Sequence, residues 1–534
     1  MLNAERAMAP RNSTFNIQHS TFLVVSLYAL LAAIVIPIYP HFPSPNEFSR
    51  WFLASAIVED HTLEVTQQAK PFGRGFEDLS ERDGRLYSNK APGGTLIGLP
   101  AFALAHLFTR NVRVTLTAMR LFAATLPTIL LALVLARAAA RHGAREERIN
   151  AAVAALLFAT PLFAYGLLNF SHALAALCLF AAWHLLFPGS ADVSPATGER
   201  AGRPRSHDFA AGALLGLAVL AEYPCAIPAA VLLACALPRW RTIARVVAGG
   251  IPSALILAAY NELAFGNPFT LSSGNERNAA FRSLASSGMF GIGIPNPLIM
   301  LRLLFDPSKG LFVFSPILIL ALFAIPRAWR RLERAQFWAL ILPPLSLLFL
   351  YSGYPNWHGG WTVGARYLVP ALPFIVFLLT LFDEQPVIEP ILIGWSAVAV
   401  ITTSLVFPFV PEDVPFPWAT FAMPLLRHGL VAPNLFHLIA RPLAIVVPFA
   451  LAFGAVIIAT KRRALLAIGA LLALMLVVIT PPPRASVGRG FIEEVYFEQS
   501  GAIKRATPQG VDVMPSFKAR AVVLRLLPPE SWPF

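Results

Sequence analysis

Residues 45–52 read PNEFSRWF and residues 77–94 read EDLSERDGRLYSNKAPGG, two charged clusters within one long polar stretch. An apolar run, Thr21 to Tyr39, precedes that stretch, and from about Leu116 onward apolar runs follow one another almost to the end of the chain. A dense polar segment between such runs is a loop between membrane helices, and it is the place in this sequence where chemistry is expected.

The composition agrees. Of 534 residues, 56% are hydrophobic and 13% charged, and the mean hydropathy is +0.63, far more apolar than a soluble protein. A spanning helix needs roughly 20 mostly apolar residues, because the hydrocarbon layer is about 30 Å thick and a helix rises 1.5 Å per residue. Many segments here meet that requirement, so the expected class is all-α and polytopic. A net charge of +13 could suggest nucleic acid. That reading requires a clustered basic face, whereas these charges are dispersed between apolar segments, and no nucleic-acid partner is expected.

Charge parity orders the helices. Nineteen of the 42 Lys and Arg residues fall in short connections, among them Arg6, Arg11, Arg137 to Arg148, Arg200 to Arg205, Arg239 to Arg245, Arg327 to Arg334 and Lys461 to Arg463. Placing all of these inside satisfies the positive-inside bias. The first run is long enough to span and has no small-residue cleavage site after it, so it reads as a retained helix and not as a signal peptide.

Residues 40–115 are then external, and the short apolar stretch Gly93 to Phe108 lies at the outer interface, since a crossing there would put Arg137 to Arg148 outside. Helices follow at Leu116 to Ala136, with Arg120 snorkelling outward, Ile149 to Tyr165 and Asn169 to Phe187. Residues 189–208 are an internal linker. Phe209 to Leu237 is interrupted by Glu222, Pro224 and Pro228, and basic flanks on both sides predict a hairpin turning near Glu222. Val246 to Leu263 leads to a second external loop, 264–310.

Further spans are expected at Leu311 to Ile325, Phe337 to Ser352, Tyr367 to Phe382, Ile391 to Val410, His437 to Thr460 and Ala464 to Thr480. The expected total is thirteen, giving a transmembrane domain of residues 1–480 and a small external tail, 481–534, in which FIEEVYFEQ and ARAVVLRLL hint at strands. One inner connection, Asp383 to Glu389, is acidic against the rule. No internal repeat is visible, which argues against transporters built from inverted halves. Cys178, Cys225 and Cys235 lie in apolar segments and read as core residues.

Candidate chemistry concentrates at the outer face. Ser44, Pro45 and Glu47 fit the start of a capped helix, with Glu47 where a capping box places an acid. Arg50, three residues on, shares its face. A carboxylate mounted there could also serve as a base. Lys90 lies just before Pro92, which suits a helix start whose free N–H groups favour an anion, so a phosphate site is expected there, with contact to lipid headgroups as the plainer alternative. Trp357, His358, Trp361 and Arg366 gather around glycines before Tyr367, although aromatic residues and Arg also populate any membrane boundary. His172 reads more simply as a structural hydrogen-bonder. Glu222 is costly in an apolar run and must face a cavity, a partner or a helix end. No metal-ligand spacing and no Gly-rich nucleotide loop is present, and no cofactor is expected.

Taken together, PNEFSRWFLASAIVEDHTLEV, DGRLYSNKAPGGTLIGLPAFALAHLF, AMRLFAATLPTILLALVLARAAARHG and GGWTVGARYLVPALPF resemble the C-type membrane glycosyltransferases, in particular the protein O-mannosyltransferases and aminoarabinose transferases. The resemblance extends over most of residues 20–380. It departs at two places: the acidic pair of the family stands here as Asn46-Glu47, and a Lys before Gly-Pro is replaced by Glu222-Tyr223-Pro224.

The resemblance implies transfer of a sugar, with inversion, from a polyprenyl-phosphate donor to a hydroxyl of a glycan, lipid or protein on the periplasmic side of a bacterial inner membrane. It implies Glu47 as the base, with Asp60, Asp78 and Asp83 as alternatives. Lys90, Arg366 and Arg50 would hold the phosphate. Tyr87, His172, Trp357, His358, Trp361 and Glu222 would line the substrate site. The rival reading is a transporter or flippase of lipid-linked sugars, whose polar residues belong near mid-membrane.

Overall fold

Apolar period and composition build a helical architecture in the computed structural model, which describes residues 19–37, 44–72, 78–187, 205–237, 239–286, 288, 291–410, 412, 414–427, 431–440, 442–479, 503–507 and 510–513. The first run forms α1 (His19–Val35), and the loop that follows carries α2 (Pro45–Glu59), a hairpin of β1 (Leu79–Arg82) and β2 (Arg85–Ser88), and α3 (Gly93–His106). Asp83 and Gly84 form the hairpin turn, both at positive φ, which Asp and Gly tolerate best. Among the described residues, five helices are long and apolar enough to cross a membrane: α4 (Val112–Arg141), Trp240–Phe265, Arg334–Ser352, Ile388–Val406 and Leu443–Thr460. Seven shorter apolar helices of 10–17 residues accompany them.

Helix α4 contains a π turn at Leu121–Thr125, immediately before Pro127. Proline has no N–H to return to the preceding turn, and the widened turn accommodates that loss. The next elements are α5 (Glu146–Phe158), α6 (His172–Leu186), α7 (Arg205–Ala221), α8 (Ala226–Cys235) and α9 (Trp240–Phe265).

Between α7 and α8 the chain breaks at Glu222, which is extended at φ −146° and ψ 108°. Small residues seat α7 on α9: a Cβ on Gly212 would fall 1.9 Å from the Val246 carbonyl, and one on Gly249 would fall 2.1 Å from that of Phe209. Gly216 likewise meets Gly250 and Ser253, so the two helices advance together and run parallel. The segment joining them must therefore return, as the hairpin reading of Phe209 to Leu237 expects.

The later helices are α10 (Arg334–Ser352), α11 (Leu372–Leu379), α12 (Ile388–Val406), α13 (Leu443–Thr460) and α14 (Arg463–Ile479). Helix α14 packs on α12 through Gly394 and Gly469 in the same close-backbone manner. Within residues 383–389, Asp383 and Glu389 are both paired. Glu389, fully buried, takes Arg148 from the first turn of α5, with Nη2 at 2.9 Å from Oε1, and Asp383 takes Arg331. Each acid is thus paired with a cation from a distant part of the chain.

The elements around α2 and α3 have a core of their own. Phe48, Trp51, Phe52, Val65, Leu79, Phe102, Leu116, Met119, Tyr260 and Phe265 bury one another, and Trp51 Nε1 donates to Thr115 Oγ1 at 2.9 Å. One face of α3 enters this core while Leu104, Leu107 and Phe108 stay exposed, as suits an interfacial helix. In the tail a strand pair, β3 (Ile503–Thr507) with β4 (Gly510–Val513), is described. FIEEVYFEQ and ARAVVLRLL lie outside the described residues, as do residues 1–18 with Arg6 and Arg11, and residues 188–204 of the internal linker.

Candidate active site

The loop after α9 docks on the β1–β2 hairpin. Ser80 bridges Glu276, Arg277 N donates to the Leu79 carbonyl at 2.8 Å, Ser80 Oγ donates to Ser272 O at 2.7 Å, and Ser272 Oγ donates to Asn89 O at 2.9 Å. Between these loops and the turn before Arg366 lies a cavity of about 530 Å³. Its polar wall is Asn46, Asp78, Asn89, Lys90, Glu276 and Arg366; its aromatic wall is Phe170, Tyr354, Trp361 and Tyr367.

Two cations from separate elements serve this cavity. Lys90 Nζ lies 3.1 Å from Asp78 Oδ2. The Arg366 guanidinium packs over the rings of Phe170 and Tyr367, 5.8 and 4.8 Å from their centroids, and donates to Tyr367 Oη at 3.1 Å. Among the described residues no acid pairs with Arg366, and its buried Nε lacks a hydrogen-bond partner. Gly359 is needed beside it, because it holds φ +74° and a Cβ there would sit 3.1 Å from Arg366 Nε.

The two acids of the cavity are held differently. Burial by itself would raise the pKa of Asp78, but the Lys90 ammonium, with help from Arg366 and a hydrogen bond from Asn89, holds it below the usual carboxylate value. Burial raises Glu276 to about 7, against the weaker opposing pull of Lys90 and of the Asn89 amide. Asn89 Nδ2 lies 3.0 Å from each Glu276 oxygen, and Asn89 Oδ1 is itself held by Ser49 Oγ at 3.1 Å.

Of the residues expected from the sequence, Lys90, Arg366, Asp78 and Trp361 meet here. Glu47 does not. It is 0% exposed and takes Arg120 on both oxygens, Nε at 2.8 Å and Nη2 at 2.6 Å, with the Asn169 N–H at 2.6 Å from Oε1. Ser44 makes no side-chain cap, so Glu47 closes no capping box. Arg120 is buried against Glu47 and the Pro37 carbonyl and does not snorkel to water.

Arg50 lies behind the cavity wall, bound to Asn46, to Ser171 Oγ at 3.2 Å and to Glu222 at 3.4 Å. His172 puts Nδ1 3.0 Å from Glu222 and stacks on Tyr165, so Glu222 joins Arg50 and His172 in one packed group. Tyr87 packs on Phe265, Trp357 lies under Arg302, and His358 meets Glu412 at 2.6 Å. Asp60 accepts from Gln68, and Asp83 is 83% exposed at the hairpin tip. None of these lines the cavity.

The helix start after Lys90 is also closed. A Cβ on Gly93 would meet Leu220 at 2.6 Å and one on Gly94 would meet Ser171 at 2.2 Å, so the α3 N-terminus is packed against its neighbours. Sequence reading missed Glu276, Asn89 and Tyr354. The available signal for Glu276 was its being one of only two acids, with Asp306, within a loop otherwise rich in Gly, Pro, Asn and Ser. Among the described residues no three His, Cys, Asp or Glu side chains gather as for a metal ion.

No protein-family model and no curated protein matches the chain. Among solved structures it is similar to ArnT from Cupriavidus metallidurans bound to undecaprenyl phosphate, at 14% identity and a TM-score of 0.48, over 85% of this chain and 76% of that one. It is also similar to the oligosaccharyltransferase AglB from Archaeoglobus fulgidus in complex with an inhibitory peptide and a dolichol-phosphate, at 13% identity and a TM-score of 0.43, over 97% of this chain and 61% of that one.

Proposed function

We propose that the chain is a C-type glycosyltransferase that moves a sugar from a polyprenyl-phosphate donor to an acceptor hydroxyl, with inversion, at the outer face of a bacterial inner membrane. The observation that carries this reading is that one helix borders both a cationic cavity and an apolar one. Lys90 and Arg366 share one polar cavity, and the helix that begins at Arg366 runs on as one wall of an apolar cavity of about 210 Å³, through Leu368, Ala371, Phe374 and Leu378. Leu304, Leu311, Phe312 and the α10 residues Leu340, Pro344 and Leu348 close that second cavity. An anionic head on a long apolar tail fits this pair of sites.

In this reading Lys90 and Arg366 bind the donor phosphate and stabilise the charge that grows on it as the sugar leaves. Asp78 holds Lys90 in place before the donor arrives. Trp361 and Tyr354 offer apolar faces, and Asn46 and Asn356 polar groups, to a sugar and an acceptor. Glu47 takes a structural part, anchoring α2 to α4 through Arg120, because both of its oxygens are already engaged. The acceptor is a glycan, lipid or protein hydroxyl.

The rival, a transporter or flippase, needs its polar groups across the membrane's middle, whereas these come from two external loops and an outer helix start. The test is binding of undecaprenyl phosphate to the purified protein in nanodiscs, together with release of undecaprenyl phosphate from an undecaprenyl-phosphate-linked hexose. Binding weakened by Lys90→Ala and by Arg366→Ala, with release of the free lipid phosphate, supports the reading. Movement of the intact lipid-linked sugar between leaflets without bond cleavage would replace it with the rival.

A further inference from the structure

Glu276 is a buried acid to which none of the roles above applies. Its residue is 8% exposed and lines the same cavity as Lys90 and Arg366, yet among the described residues no cation pairs with it. Its held contact is the Asn89 amide, which leaves acceptor capacity on both oxygens. The charged and titratable groups around it are Lys90 and Asp78 of the first loop, Arg277 beside it, and Tyr354 and Arg366 of the opposite wall. Lys90 is committed to Asp78, and Arg277 turns to Glu81 at 3.7 Å. The backbone that carries Glu276 is fixed to the first loop through Ser80, Leu79 and Ser272, so the carboxylate is mounted on a paired segment.

Resting on the lipid-phosphate reading, we infer that Glu276 is the general base that takes the proton of the acceptor hydroxyl. As the acceptor oxygen attacks, its O–H proton passes to a Glu276 oxygen and the new O–C bond forms at the sugar carbon. The C–O bond to phosphate breaks on the opposite side, and its electron pair leaves on the polyprenyl phosphate bound by Lys90 and Arg366. No other reactant is required. Two carboxyl groups in one site whose environments drive them apart divide their tasks. Asp78, bound to Lys90, stays ionised and is a weak base. Glu276 titrates near neutral pH, where a base is most effective.

The experiment uses the full chain in nanodiscs with undecaprenyl-phosphate-linked hexose as donor, and water, a lipid glycan and a Ser/Thr peptide as acceptors. Glu276→Gln keeps the shape and the acceptor for Asn89, so the protein should fold and bind undecaprenyl phosphate as the wild type does. Its turnover should fall by about 10²- to 10⁴-fold, the usual loss when a base is removed. The wild-type rate should rise with pH through about 7, and this limb should vanish from the residual rate of Glu276→Gln. Glu276→Asp should recover part of both.

A second readout needs no acceptor. A hydrophobic carbodiimide, which modifies protonated carboxyls, should label Glu276, lose it as pH rises through about 7, and be blocked by undecaprenyl phosphate. Wild-type turnover with Glu276→Gln retaining rate and pH limb overturns the base and leaves the donor reading standing. A wild type that neither binds undecaprenyl phosphate nor turns over the donor overturns both.

Discussion

Arg120 grips Glu47 through both carboxylate oxygens, Nε to Oε1 at 2.8 Å and Nη2 to Oε2 at 2.6 Å, and the pair is buried between α2 and α4. Removing one partner of such a pair strands the other charge, at a cost of about 3–5 kcal/mol. Glu47→Ala should therefore lower the thermal midpoint sharply, and pairing it with Arg120→Met should recover much of the loss. Thermal unfolding in detergent checks this, alongside the turnover of whatever remains folded. A Glu47→Gln protein with wild-type stability but collapsed turnover would return the base to Glu47.

Lys90 and Arg366 should act on donor binding. On the proposed function each would make a charge-assisted contact with phosphate worth roughly 1.5–3 kcal/mol, so Lys90→Ala and Arg366→Ala should each weaken undecaprenyl phosphate about tenfold or more. Asp78→Asn frees Lys90 from its 3.1 Å partner and should tighten binding. Titration calorimetry on the three variants decides; equal affinities throughout would remove the phosphate from this cavity.

Helix seating predicts a graded glycine series. Gly212→Ala would set its Cβ 1.9 Å from the Val246 carbonyl, and Gly469→Ala would set its own 1.8 Å from that of Ile391, both against backbone that cannot step aside. Gly454→Ala, with nothing within 4 Å, is the control. Expression and thermal stability should drop for the first two and hold for the third.

Topology can be read by thiol labelling in a background lacking Cys178, Cys225 and Cys235. Asp83→Cys at the exposed hairpin tip should react with an impermeant reagent in intact cells, and Glu384→Cys, exposed in the α11–α12 connection, only after permeabilisation. Ser80, although in the same hairpin, is buried and would report nothing. The opposite labelling pattern would invert the chain.

Stability should also carry a signature of Glu276. Its folded pKa of about 7 lies above the ordinary value of 4.5, so the folded state keeps a proton that the unfolded chain gives up. The resulting contribution is full below 4.5 and is lost as pH rises through about 7. Denaturation from pH 4 to 8 should show this decline in the wild type and a flatter course in Glu276→Gln. Parallel curves would place Glu276 in an ordinary carboxylate environment.

Composition, the apolar runs, the basic connections and the break at Glu222 were all legible in the sequence, because spanning length, period and charge bias are local properties. Lys90, Trp361 and Arg366 stood out as polar and aromatic residues near expected helix starts and Asp78 as an acid of the first loop; the structure places all four around one cavity. The partners of each charge were not legible. Arg120 lies 73 residues from Glu47, Asn89 187 from Glu276, and Arg148 241 from Glu389. A single sequence says that an acid is present; only packing decides which cation meets it and whether solvent or substrate can reach it. Glu47 and Glu276 are chemically the same side chain. Tertiary structure pairs the first with Arg120 and places the second in the cavity with no ion-pair partner among the described residues, a difference that no local pattern carries.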